Sequence, residues 1–196
     1  MTAVSIPAAS RAGLRPVALA IGLVLVVGLR WAATVGAFSD ALTIGLAFGL
    51  ALLGLAVAFG QPIVRPRASS IPIGLGGGAV LVALAVVAHL GQLGPSLAPA
   101  AAFLPWAGIT VLVATSEELV LRGVLFQALD RRLGVAAAVL ATSVLFALIH
   151  VPLYGWHVVP LDLAVGIWLG GLRLLSGGVA APSIAHALAD LATWWL

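Results

Sequence analysis

Glu117 and Glu118 stand side by side in the stretch Ala-Thr-Ser-Glu-Glu-Leu-Val-Leu-Arg-Gly-Val (114–124), and Arg122 follows four residues after the second acid. The chain around them is almost without charge, with six Asp and Glu in 196 residues. A charge at mid-membrane costs at least about 2.5–3.5 kcal/mol even on lenient insertion scales, so ions kept in apolar sequence point to function. On a helix Glu118 and Arg122 share a face, with the acid before the base, the favourable order for an ion pair. Glu117 is turned about 100° from Glu118 and has no base three or four residues on. Its carboxylate must look to another helix.

Two other segments offer partners. One ends in Phe-Ala-Leu-Ile-His (146–150); the other, His-Ala-Leu-Ala-Asp (186–190), sets His186 and Asp190 four apart so that they project together. Counted at about 1.5 Å per residue, Glu117, His150, His186 and Asp190 lie roughly 14–25 Å from the helix ends, at comparable depth on three helices. Such a set can move protons on water or hold a zinc-like metal. The plainer alternative is polar glue between helices, at about 0.6 kcal/mol per pair; for Glu118 with Arg122 the two readings weigh equally. Ser116, Thr142 and Ser143 are placed to support the site by hydrogen bonding, but no serine has the base and orienter spacing of a nucleophile. Tyr154 and His157 read as loop residues, His89 as lying near the end of its span, Asp162 as a helix cap, Arg30 with Trp31 as an interfacial anchor, and Arg173 as a snorkelling end charge.

The elements that must position these groups are membrane helices. The chain is 63% hydrophobic and 8% charged, with a mean hydropathy of +1.24, far from the roughly 25% charged residues of a soluble domain. Apolar runs broken by Gly, Pro and charge predict seven spans near 16–37, 41–60, 72–94, 104–129, 134–151, 158–175 and 177–196. The expected fold is an all-α, polytopic transmembrane bundle, a single membrane domain over 1–196 with its site buried within the membrane. Arg11 and Arg15 before the first apolar run imitate a signal peptide, but the run is long and Arg30 interrupts it, so the first span reads as uncleaved. Basic residues at 11, 15, 65, 67, 131, 132 and 173 alternate with loops that lack them, which puts the N-terminus in the cytoplasm and the C-terminus outside. Trp194 and Trp195 then anchor the last helix at the outer interface. Gly45/Gly49 and Gly166/Gly170 are spaced for close helix packing. The nine arginines are scattered over helix ends and form no face for nucleic acid. With no cysteine, disulfides, iron–sulfur clusters and thiol catalysis are excluded.

Three motifs therefore follow one another on separate helices: Glu-Glu-x-x-x-Arg (117–122), Phe-x-x-x-His (146–150) and His-x-x-x-Asp (186–190). In this order they resemble the CPBP family, the type II CAAX prenyl endopeptidases and bacteriocin-processing enzymes also called the Abi family. The resemblance covers about 104–196, which makes that stretch the catalytic core. It implies an intramembrane endopeptidase, glutamic or metal-dependent, in which Glu117 activates water, His150 helps to position or deprotonate it, and His186 with residue 190 stabilises the oxyanion. Glu118, Arg122 and Phe146 would support the site. Many members of the family have Asn where this chain has Asp190. An ionised carboxylate would repel an oxyanion, so Asp190 must be protonated, orient His186, or bind a metal such as zinc together with Glu117, His150 and His186. The implied partners are the lipid bilayer and a membrane-associated peptide or protein cut near its terminus, in a bacterial cytoplasmic membrane. Two other functions fit the same residues: a non-catalytic scaffold or bacteriocin self-immunity protein, and a small proton-coupled transporter.

Overall fold

An apolar chain in lipid has to satisfy its backbone internally, which leaves helices or closed barrels. The described residues of the computed structural model, 8–36, 40–60, 67–88 and 100–196, contain helices and no strand. They form α1 (Ala8–Gly36), α2 (Ala41–Ala58), α3 (Ser70–Ala88), α4 (Ala100–Glu118), a π-helical segment (Leu119–Leu125), α5 (Phe126–Leu133), α6 (Val135–Tyr154), a 3-10 turn (Trp156–Val158), α7 (Val159–Ser176) and α8 (Ala180–Ala192). His89 and Arg65 lie outside the described residues, as do the side chains of Arg11 and Arg15.

Local chemistry sets the ends. Asp40 caps α2: its Oδ1 accepts the Thr43 N–H at 3.0 Å and its Oδ2 the Thr43 hydroxyl at 2.8 Å. The Thr43 backbone bond, with its hydroxyl, holds the Asp40 carboxyl below its usual range. Gly177 ends α7 in the left-handed region at φ 69°, where other residues are strained. Its carbonyl and that of Ser176 accept Arg67 Nη1 at 2.9 and 3.2 Å, so the start of α3 and the α7–α8 turn share one end of the bundle.

Among the described residues five helices are long and apolar enough to cross a membrane: Val17–Gly36, Ala41–Ala58, Ser70–Ala88, Val135–Tyr154 and Trp156–Ser176. The other two expected spans take different forms. The stretch 104–129 passes without a gap from α4 through the π segment into α5, and α8 has only 13 residues, about 20 Å against a hydrocarbon core of about 30 Å. The core joins Leu19 and Leu23 of α1, Phe48 and Leu52 of α2, Leu119–Leu121, Phe146 and Leu169.

Glycines permit the approaches that the site needs. A Cβ on Gly166 would sit 2.9 Å from Ser143 Cα, and one on Gly45 or Gly49 would meet Ile109 at 3.0 Å or Leu112 at 2.9 Å, so both expected small-residue pairs do pack their helices closely. A further seam was not anticipated. Gly74 and Gly78 of α3 face α8 so tightly that a Cβ on Gly74 would lie 2.9 Å from the Ala181 carbonyl oxygen.

Candidate active site

The acids sit where the helix changes form. Glu117 and Glu118 close α4, and Arg122 lies in the π-helical turns that follow, all three buried. π-bulges recur at functional sites because the wider turn re-aims side chains. The expected pair exists: Arg122 Nη1 donates to Glu118 Oε1 at 2.8 Å with both side chains fully buried, and Arg122 Nη2 donates to the Gly166 carbonyl at 3.0 Å. The guanidinium also lies over the Phe146 ring, 4.8 Å from its centroid.

The same Glu118 oxygen receives His186 Nδ1 at 3.1 Å. His186 Nε2 then faces two more carboxylates, Glu117 at 3.9 Å and Asp190 at 3.5 Å. An imidazole serves acceptors on both sides only with a proton on each nitrogen. Glu117, Glu118, His186 and Asp190 are thus brought together. Asp190 is the open edge of the group, 41% exposed at the side chain, whereas Glu117 and His186 are buried. Phe146 joins the two histidines edge-on, with centroids 4.7 Å from His150 and 5.2 Å from His186.

His150 stands slightly apart. Its Nδ1 donates to the Phe146 carbonyl at 2.8 Å and lies 3.6 Å from Asp162 Oδ2, and it forms no ion pair with Glu117. With Nδ1 so engaged, the neutral ring keeps Nε2 as an acceptor.

Several residues do other work than the sequence suggested. Val158, not Asp162, takes the N-cap position of α7, and Asp162 faces His150 instead. Arg30 is no interfacial anchor: it reaches inward to 3.7 Å from Glu117 Oε1 and stacks on Phe48 at 4.2 Å. Its signal in the sequence was the one that singled out Arg122, a cation interrupting an apolar run. Arg173 does not snorkel; its Nε donates to the Arg122 carbonyl and its guanidinium covers the Phe126 ring at 3.8 Å. Thr142 and Ser143 bond back to the carbonyls of Ala138 and Val139 in their own helix, and the buried Ser116 hydroxyl has no partner, so none of the three supports the site. His157 is exposed as expected, and Tyr154, also exposed, stacks over His150 at 6.0 Å.

The four proposed metal ligands do not fit a metal. Among the described residues no three of His, Asp and Glu are disposed to hold one, and the engaged nitrogen of His150 turns to a backbone carbonyl. His186 Nδ1 is taken up by Glu118 Oε1.

Residues 99–192, just under half of the chain, match a family model described as type II CAAX prenyl endopeptidase Rce1-like. The matched stretch contains all three motifs and leaves out α1, α2 and α3. No curated protein and no solved structure matches the chain.

Proposed function

We propose that this chain, whose residues 99–192 match the Rce1-like type II CAAX prenyl endopeptidase model, is an intramembrane endopeptidase that hydrolyses a peptide bond near the terminus of a membrane-associated peptide or protein. The observation that carries the reading is Glu117: buried, accepting no hydrogen bond among the described residues, and facing cations at 3.7 and 3.9 Å. A carboxylate with its lone pairs unspent is a base for water.

In this mechanism Glu117 takes a proton from water while the water oxygen bonds to the scissile carbonyl carbon. His150, held by Phe146 and Asp162, offers Nε2 to position that water. The tetrahedral intermediate collapses with cleavage of the C–N bond, and the proton on Glu117 passes to the leaving amine. His186 borders the reacting carbonyl, and Asp190 orients its ring from the open edge. Glu118 fixes the other ring nitrogen while Arg122 balances its charge. No step runs through a metal.

The family-level substrate is a lipid-anchored C-terminal peptide. A bacterial chain needs another membrane-bound target, and maturation of a bacteriocin or of a surface protein fits the same chemistry. The gathering of Arg67, Arg131, Arg132 and Arg173 toward one end supports a cytoplasmic side there, and the cluster of Phe103, Trp106, Trp194 and Trp195 supports an outer interface at the other. On this reading the N-terminus lies inside and the site within the membrane.

The test compares membrane-protein termini in cells carrying the wild type or Glu117→Gln, which keeps shape but removes the base. Termini present only with the wild type are the expected result. Identical profiles at equal protein abundance refute hydrolysis and leave a scaffold or transporter.

A further inference from the structure

Arg30 lies outside the family-matched stretch, yet its guanidinium stands 3.7 Å from Glu117 Oε1. Its side chain is 20% exposed, and among the described residues no hydrogen bond takes up any of its five N–H donors. The Phe48 ring, 4.2 Å away, holds the guanidinium plane in position. A partly buried cation with unspent donors beside a general base can receive an oxygen that becomes negative. Asp190 Oδ2 lies 3.5 Å from His186 Nε2, and a carboxyl group there lacks the N–H donors with which an amide would meet an oxyanion.

We propose that Arg30 is a catalytic residue, the donor that stabilises the oxyanion in place of the neutral amide that Asp190 is not. The inference rests on the endopeptidase reading. As the water oxygen bonds to the carbonyl carbon and Glu117 takes the proton, the C=O π electrons move onto the carbonyl oxygen, which accepts N–H bonds from the guanidinium. When the C=O re-forms, the C–N bond breaks, the amine leaves with the proton from Glu117, and Arg30 is again free. Arg30 also lines a cleft of about 420 Å3 between α1 and α2, whose wall of Val26, Leu29, Ile44, Ala47 and Phe48 suits the apolar flank of a membrane peptide.

The experiment expresses wild type, Glu117→Gln, Arg30→Gln, Arg30→Lys and Arg30→Gln/Asp190→Asn at matched abundance. The terminus that depends on Glu117 supplies a peptide for kcat and KM in detergent. Arg30→Gln is expected to lower kcat about 10²–10³-fold with little change in KM, the loss typical of an oxyanion donor. Arg30→Lys should keep part of the rate, and Asn at 190 should return about tenfold to Arg30→Gln by supplying a neutral donor. A wild-type kcat in Arg30→Gln beside an inactive Glu117→Gln overturns the proposal and spares the endopeptidase. A defect in KM alone, or one that neither Arg30→Lys nor the Asp190→Asn background relieves, also overturns it, because the residue then acts only in packing or binding. If Arg30→Gln does not accumulate, kcat of Arg30→Lys with and without Asp190→Asn decides by the same criteria. With no Glu117-dependent terminus, both readings fall.

Discussion

Removing the Glu118 charge strips two groups of their partner at once, since a single oxygen receives both Arg122 Nη1 at 2.8 Å and His186 Nδ1 at 3.1 Å. Breaking a buried ion pair by losing one member costs about 3–5 kcal/mol, because the survivor keeps its desolvation without compensation. In Glu118→Gln, Arg122 still has the Gly166 carbonyl and the Phe146 face, which puts the cost near the lower figure, about 3 kcal/mol. Arg122→Ala forfeits those contacts too and leaves a void under Phe146, so it belongs near the upper figure, about 5 kcal/mol. The double variant Glu118→Gln/Arg122→Gln removes both charges and keeps most of the volume. Its destabilisation should fall short of the sum of the singles by at least about 2 kcal/mol, the coupling expected of residues in direct contact. The assay is equilibrium unfolding of the purified protein in mixed detergent micelles, read by tryptophan fluorescence, for wild type, both singles and the double. Additive singles, or singles within about 1 kcal/mol of wild type, would show that the pair carries no such energy and would refute the reasoning.

Two further outcomes follow from the same geometry. Asp190→Asn should keep activity within about tenfold of wild type, with chelators inert in both proteins, since the change removes a charge beside the oxyanion and adds a donor; stoichiometric metal lost together with activity would contradict it. Gly74→Val should push α8 off α3, lowering stability by about 1–3 kcal/mol and activity by up to about 10²-fold without touching the site, and a variant with wild-type rate would mean that the seam does not position His186.

What could be read in the sequence was whatever depends on one helix at a time. Glu118 with Arg122, and His186 with Asp190, are four-residue pairs, and helix geometry alone brings each together. The convergence of Glu117 with His186 was legible only through their comparable depth and the order of the motifs, since no spacing within one helix joins them. Arg30 was not, because its contact depends on how α1 docks against the end of α4, and a position near the end of an apolar run made an anchor the simpler reading. Asp162 misled for a related reason: acids in a first turn are common caps, and only the meeting of α6 with α7 shows that it faces His150. Nor does any local signal mark Leu119–Leu125 as π-helical within the helical stretch that the sequence reads as one span over 104–129.

The wide turn has a cost that α7 offsets. A π-helical stretch disturbs the regular bonding of its carbonyls, and the Arg122 carbonyl is the one that accepts Arg173 Nε. Arg122 in turn donates to the Gly166 carbonyl, which α6 and α7 leave accessible by packing without a side chain at 166. The π segment and α7 are therefore tied in both directions, and the start of α7 contributes Asp162 to His150. A helix with no residue in any motif thus braces the acid-bearing helix and the first histidine, while the glycines of α3 brace the second. The base and both histidines are held on mutually packed elements. Arg30, the proposed oxyanion donor, comes from α1, the least buried of the five apolar spans. On the proposed mechanism the groups that activate water lie on the mutually packed C-terminal elements, and the proposed oxyanion donor lies on the least buried span.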